Sequence, residues 1–267
     1  MTSKPQKTSI NTDPVHPPGQ RHFKLIACEI IYRELCLLAA QSRHIIDVQF
    51  LRKGLHDAGK QTMLHELQEA ISSVETNDYD AILLGYGRCS DGIANLRAPT
   101  IPLVIPRAHD CITFFFGSRQ NYEKYFSQNP GTYYRTTGWT ERGDYDQASD
   151  TGSVMHQLGL DRTYDEYVAR HGKDNARYIM ESLGSWEQNY NCLTYIDMGM
   201  PQDDEYALLT KRQADQMGLE FKRLTGDLRL LRALMSGQWD EREFLIVRPG
   251  RIVGTDDNGE IIKEISD

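Results

Sequence analysis

A chain of 267 residues that is 39% hydrophobic and 25% charged can bury one large core or two small ones, which excludes a wholly disordered protein. Its formal net charge of -8 and pI near 5.5 have the wrong sign for bulk electrostatic binding to nucleic acid or to an anionic membrane. No run approaches the roughly 20 apolar residues that cross a bilayer, the N-terminus lacks the apolar core of a signal peptide, and the cysteines (28, 36, 89, 111 and 192) are too few for a disulfide scaffold, so a cytoplasmic protein with reduced thiols is expected.

Residues 1–22 are polar and proline-containing and read as a flexible tail. Phe23–Ala27 predicts a first strand running into Cys28, and Glu29–Ala40 a helix with Ile30, Ile31, Leu35 and Leu38 on one face. His44–Leu51 is a second strand, and Thr62–Val74 a helix with Leu64, Leu67 and Ile71 as its apolar stripe. Asp80–Gly85 is a third strand, followed by a glycine-rich loop, Gly85-Tyr-Gly-Arg-Cys-Ser-Asp-Gly92, whose Gly85 and Gly87 let the backbone approach a ligand closely. The loop lacks the Gly-Lys-Ser/Thr ending of a phosphate-binding loop.

Ile101–Ile105 is a fourth strand that ends in Pro106-Arg-Ala-His-Asp-Cys111. Cys111–Phe126 reads as helical with a break near Gly117, and Gly131–Trp139 as an edge strand or an extended loop over the site. The polar stretch 141–153 is a linker or lid, and 164–187 is helical. Cys192–Met198, Leu219–Leu224 and Glu243–Val247 are strands, with helices at Asp204–Met217 and Leu228–Ser236 between them. A turn at 256–259 opens a C-terminal tail, 256–267. The order argues for an α/β protein with a mostly parallel sheet flanked by helices and right-handed crossovers, in two Rossmann-like halves, 23–145 and 146–255.

The first half carries the candidate site. His109 and Cys111 are one residue apart and can turn toward one point, and Cys28 and Cys89 also follow strands. If those strands are parallel, their C-terminal ends bring the positions together, where open α/β sheets place their ligands. Cys28, Cys89, His109 and Cys111 supply soft and borderline donors for zinc or iron. Four protein ligands make a closed structural site, whereas three leave a position for water or substrate. Arg107 is a candidate for anion binding or a salt bridge, and Asp110 for orienting His109, so His109, Asp110 and Arg107 form the catalytic candidates. Gly85, Gly87, Arg119 and Tyr133 are the candidates for holding a cofactor or small-molecule substrate. Cys36 and Cys192 are expected in the core.

Leu84-Gly-Tyr-Gly-Arg-Cys89, Pro106-Arg-Ala-His-Asp-Cys-Ile112, Phe116-Gly-Ser-Arg119 and Pro130-Gly-Thr-Tyr-Tyr134 before Gly138-Trp139 resemble the bacterial and archaeal family called domain of unknown function 1638, over about Phe23 to Val253. The family name carries no activity. The resemblance implies a setting near corrinoid-dependent methyl transfer from methylated amines, and hence a corrinoid as a further cofactor and a corrinoid protein or methyltransferase as a partner. Gly87-Arg-Cys-Ser-Asp-Gly92 departs from the family's more usual Leu-Cys-Gly-Asn-Gly block. His-x-Cys is also similar to the zinc motif of corrinoid:thiol methyltransferases, although there the remaining cysteine lies far downstream.

Three functions follow as expectations. The first is a metal-dependent enzyme of one-carbon or methylated-amine metabolism. The second is a metal-free enzyme with Cys89 or Cys111 as nucleophile and His109 as base. The third is a non-enzymatic accessory protein that binds a metal or a corrinoid; the chain lacks the Asp-x-His-x-x-Gly signature of base-off corrinoid binding.

Overall fold

Three largely apolar strands form the centre of the fold. In the computed structural model, which describes residues 17–55, 58–89, 91–142, 168–169, 172–173, 190–256 and 260–266, β1 (His22–Cys28), β3 (Ala81–Gly85) and β4 (Leu103–Pro106) lie inside a five-stranded sheet. Every residue of β3 and β4 is buried, as expected of strands covered on both faces. β2 (Ile45–Leu51) is the edge strand, and its side chains are mostly half-exposed.

The strand order is β2-β1-β3-β4-β8, where β8 is Phe244–Val247. β1 pairs in parallel with both β2 and β3, and β3 with β4. The chain thus builds outward from β1 to one side, then crosses to the other. The crevice between the carboxyl ends of β1 and β3 is a topological switch point, the place where open α/β sheets bind ligands. Cys28 closes β1 and Cys89 lies just beyond β3.

The helix expected after β1 forms as a 3-10 turn, Glu29–Ile31, continued by α1 (Tyr32–Gln41). Its expected apolar face, Ile30, Ile31, Leu35 and Leu38, is buried. Cys36 lies off that face and is exposed, contrary to its expected place in the core, while Cys192 is buried as expected. After β2, α2 (Lys60–Ser72) buries Leu67 and Ile71 together with Met63 and Ala70.

The segment Cys111–Phe126 breaks where expected. α3 (Ile112–Phe115) ends, Gly117 takes a φ of +67°, and α4 (Arg119–Gln128) starts from the Ser118 cap, which accepts from the Asn121 N–H at 3.1 Å. Gly131–Trp139 resolves into a short edge strand, β5 (Thr132–Arg135), and a turn of helix, α5 (Thr137–Glu141).

A second sheet, wholly parallel, has the order β5-β6-β7, with β6 at Cys192–Asp197 and β7 at Glu220–Thr225. α6 (Asp203–Met217) connects β6 to β7. It opens on three acidic residues that complement its dipole, and it ends at Gly218 with φ +68°.

The strand expected at Glu243–Val247 does not join this second sheet. After α7 (Arg229–Met235), which packs on α1 and β4, the chain returns as β8 and pairs antiparallel with β4. The first sheet is therefore mixed, and one of its strands comes from the far end of the chain. The expected C-terminal tail contributes β10 (Ile261–Ile265), paired antiparallel with β9 (Ile252–Asp256); Ile261 and Ile262 are buried and give it a reason to dock. The stretch 143–153, most of 164–187 and the turn at 257–259 lie outside the described residues. Among the described residues no helix is long and apolar enough to cross a membrane.

Candidate functional site

The glycine-rich loop does not wander after β3; it continues the sheet by other means. The Arg88 N–H donates to the Ala108 carbonyl at 2.8 Å and the Cys89 N–H to the His109 carbonyl at 3.0 Å, so the loop runs beside the segment that follows β4. Glycine is required for this approach. A Cβ on Gly87 would sit 2.7 Å from the Asp110 backbone, and one on Gly85 would sit 2.6 Å from Ala27 Cβ. Gly85 and Gly87 thus act through close packing of three chain segments, which fixes what lies between them.

The consequence is a cluster of thiols. Cys89 Sγ and Cys111 Sγ are 3.7 Å apart. Cys111 also interacts with Cys28, and all three side chains are buried. Hydrogen bonding to the Cys28 and Cys89 sulfurs, together with burial, pushes the Cys111 thiol well up. The same bond, donated by Cys111, holds Cys28 below the ordinary thiol range against the effect of its burial, with help from the Ile30 N–H. The cluster therefore eases ionisation at Cys28 and opposes it at Cys111. Cys89 holds φ +35°, a conformation a non-glycine residue rarely adopts. Backbone held this way concentrates at functional sites.

Cys89 and Cys111 form part of the wall of a cavity of about 650 Å³. Its remaining walls are largely aromatic: Tyr122 and Phe126 from α4, Tyr133 and Tyr134 from β5, Trp139 from α5, and Tyr190. Tyr133 and Tyr190 meet edge to face, with ring centroids 5.4 Å apart. Trp139 is backed by Lys53, whose Nζ lies 4.6 Å from the ring centroid and donates to the Trp139 carbonyl at 3.1 Å. The cavity thus joins the switch point of the first sheet to the edge of the second.

The other candidates have definite places. His109 lines the cavity but faces outward, half-exposed, with Nε2 3.6 Å from Glu123 Oε1. Asp110 does not orient it. One carboxylate oxygen of Asp110 accepts from the N–H groups of Ile112 and Thr113 at 3.0 and 3.2 Å, and the other accepts from the Tyr122 hydroxyl at 2.9 Å. Asp110 therefore starts α3 and anchors α4, fixing Cys111 and the cavity wall between them. Arg107 points elsewhere: it donates to the carbonyls of Glu241 at 2.8 Å, Glu260 at 2.9 Å and Ile262, and ties the β9–β10 hairpin to the first sheet. Arg119 pairs along its helix with Glu123 at 3.4 Å. Tyr133 is in the cavity wall.

Tyr86 belongs to the site more closely than the sequence shows. Its ring is buried beside the three thiols, and burial followed by the charges of Cys28, Cys111 and Cys89 pushes its hydroxyl well above the ordinary phenol range. Its position between Gly85 and Gly87 was the available signal.

A tetrahedral zinc ion with bonds of about 2.3 Å to sulfur sets neighbouring sulfurs about 3.8 Å apart. The Cys89–Cys111 separation of 3.7 Å matches one such edge. Among the described residues no three His, Cys, Asp or Glu side chains are already drawn into ion-holding geometry, and His109 is turned away from the thiols toward Glu123. The fit is thus to a preformed pair of sulfur donors with a third cysteine beside it.

Comparison with protein-family models gives a match over residues 50–235 to one described as a protein of unknown function, DUF1638. No curated protein and no solved structure matches the chain.

Proposed function

Because the chain belongs to the family called domain of unknown function 1638, whose name assigns no reaction, we propose a function from the site itself: a small-molecule enzyme built on a three-thiolate centre for zinc or another thiophilic cation. The observation that carries it is the convergence of Cys28, Cys89 and Cys111, with two sulfurs at 3.7 Å, beside a large aromatic cavity. Buried cysteines pack as small core side chains, and three of them meeting from separate chain segments also present the soft donor set that a thiophilic metal takes.

Cys89 and Cys111 would provide the preformed edge and Cys28 the third donor. Bound there, the ion would supply a Lewis acid and a coordination position for a substrate donor atom. The chain's own residues do the rest. Cys89 and Cys111 would open that position to the cavity, and the aromatic walls favour a substrate body with flat or apolar surface. Asp110 holds the wall in place through Tyr122. His109 stands at the cavity and is half-exposed, where an imidazole can carry protons between bound substrate and solvent.

The metal-free reading with His109 as base finds less support, because His109 faces Glu123. Elemental analysis of protein purified anaerobically without a polyhistidine tag tests the proposal. Stoichiometric zinc or iron, lost in Cys89→Ser and Cys111→Ser, is the expected result. Folded wild-type protein that neither carries a metal nor takes up zinc on titration would overturn it.

A further inference from the structure

Cys89 and Cys111 differ from the other cysteines in where they stand. Both are free thiols, their sulfurs touch at 3.7 Å, and both residues line the aromatic cavity. Cys28 and Cys192 are buried and are not among the residues that line it, and Cys36 is exposed on α1. Contact between two sulfurs and access from a cavity thus coincide at this pair.

The backbone holds that contact in place. The Cys89 N–H donates to the His109 carbonyl at 3.0 Å, Gly87 lies too close to Asp110 to carry a Cβ, and Asp110 in turn fixes the start of α3 beside Cys111. A disulfide sets its sulfurs about 2.05 Å apart, so closing the pair from 3.7 Å takes a shift of about 1.7 Å shared between two side chains. Held at this range, the second thiol meets a mixed disulfide formed on the first at high effective concentration.

The cavity defines which disulfide can reach the pair. Its volume of about 650 Å³ suits a small molecule. Six aromatic side chains line it, and among the described residues no lysine or arginine does. Such walls accept apolar or aromatic groups and offer little to a multiply anionic one.

We propose that Cys89 and Cys111 are a redox-active pair that closes to a disulfide by exchange with a small disulfide bearing apolar or aromatic arms, bound in the cavity. One cysteine, as thiolate, attacks a substrate sulfur, and the substrate S–S bond breaks as one arm leaves. The second cysteine, as thiolate, attacks the protein-bound sulfur of the mixed disulfide; the Cys89–Cys111 bond forms and the second arm leaves. The protein gives up two electrons and two protons, and the substrate takes them up as two thiols. A small dithiol restores the pair by exchange in the opposite direction. The proposal does not rest on the metal reading, because a sulfur taken into the disulfide is no longer a thiolate for an ion.

The test uses the full-length chain carrying Cys36→Ser, which removes the exposed thiol, with a chelator present and dithiodipyridine as the probe. Release of two thiopyridones per protein is expected, with a product lighter by two hydrogens and free of adduct, a Cys89–Cys111 link in the peptide map, and reversal by dithiothreitol. Adding Cys111→Ser should leave one arm of the probe attached to Cys89. Dithiobis(nitrobenzoate), aromatic but carrying two carboxylates, should react at least ~10-fold more slowly once each rate is divided by that of the urea-unfolded chain, because the cavity has no cation to receive them. Adducts that persist on both cysteines, a link that uses Cys28 in place of either, no release from the folded chain, or equal normalised rates for the two probes would each overturn the proposal. The peptide map of the Cys36→Ser protein decides the matter even if the double variant does not fold.

Discussion

Cys89 and Cys111 stand 3.7 Å apart at sulfur although 21 residues intervene between them. The relationship depends on backbone pairing between the loop after β3 and the segment after β4, and on Gly87 being small enough to let them meet. Replacing either cysteine by serine removes a thiolate from the preformed edge. Cys89→Ser and Cys111→Ser are each expected to weaken zinc binding by at least ~100-fold, more than loss of a supporting residue behind a ligand typically costs. Cys36→Ser, on the exposed side of α1, and Cys192→Ser, in the second sheet beside Thr194, should bind as wild type does. Chelator competition on the four variants separates the two classes.

His109 carries the opposite expectation. Because its imidazole faces Glu123 and solvent, His109→Ala should retain the metal stoichiometry of wild type. Any loss should fall on turnover, through slower proton exchange at the cavity, by about 10²–10⁴-fold if His109 acts as general acid or base. Metal content and turnover measured on the same preparation distinguish the roles, and loss of metal in this variant would return His109 to the ligand set.

The difference between His109 and the three cysteines shows what the sequence could convey. Apolar runs marked β1, β3 and β4, and strand ends followed by cysteines located the switch point, because buried parallel strands announce themselves by composition. Side-chain direction within Arg107-Ala-His-Asp-Cys111 was not legible. It depends on Asp110 capping α3, on Glu123 one helix away, and on a hairpin more than 140 residues downstream that claims Arg107. The pairing of β8 with β4 was hidden for a similar reason: Phe244–Val247 has the composition of a strand in either sheet, and α7 packing on α1 and β4 decides which. Nothing local in the sequence around Tyr86 reveals that its ring is buried beside the sulfurs.

Gly138 controls how the second sheet's edge is held against the first. A Cβ there would lie 1.9 Å from the Ile30 carbonyl oxygen, and a backbone atom in the 3-10 turn after β1 cannot retreat as a side-chain tip can. Gly138→Ala is expected to destabilise the protein by about 1–3 kcal/mol, the usual cost of forcing extra volume into packed structure. It should also disturb ligand binding in the cavity, because Ile30 and Trp139 both line it. Urea unfolding gives the first quantity. A variant as stable as wild type would show that α5 does not press on Ile30 as described.

Glu34 sets a pH dependence independent of the thiols. It is fully buried on α1, and neither carboxylate oxygen has a hydrogen-bond partner. Burial, reinforced by the charge of Asp203, pushes its pKa up to about 7. Between its unfolded value of about 4.3 and about 7, the folded state keeps a proton that the unfolded state releases. The folded state therefore loses relative stability as pH rises through this window, and the loss levels off above it. The full effect is on the order of 3 kcal/mol. Glu34→Gln keeps the shape and removes the ionisation. Its stability relative to wild type should therefore increase steadily from pH 5 to pH 8, whatever offset the amide itself introduces. Opposing contributions from Glu141 and Asp197, both held below the usual carboxylate range, are common to the two proteins and cancel in the difference. Chemical denaturation of both proteins across this range is the measurement, and a difference that does not change with pH would show that Glu34 ionises normally in the folded protein.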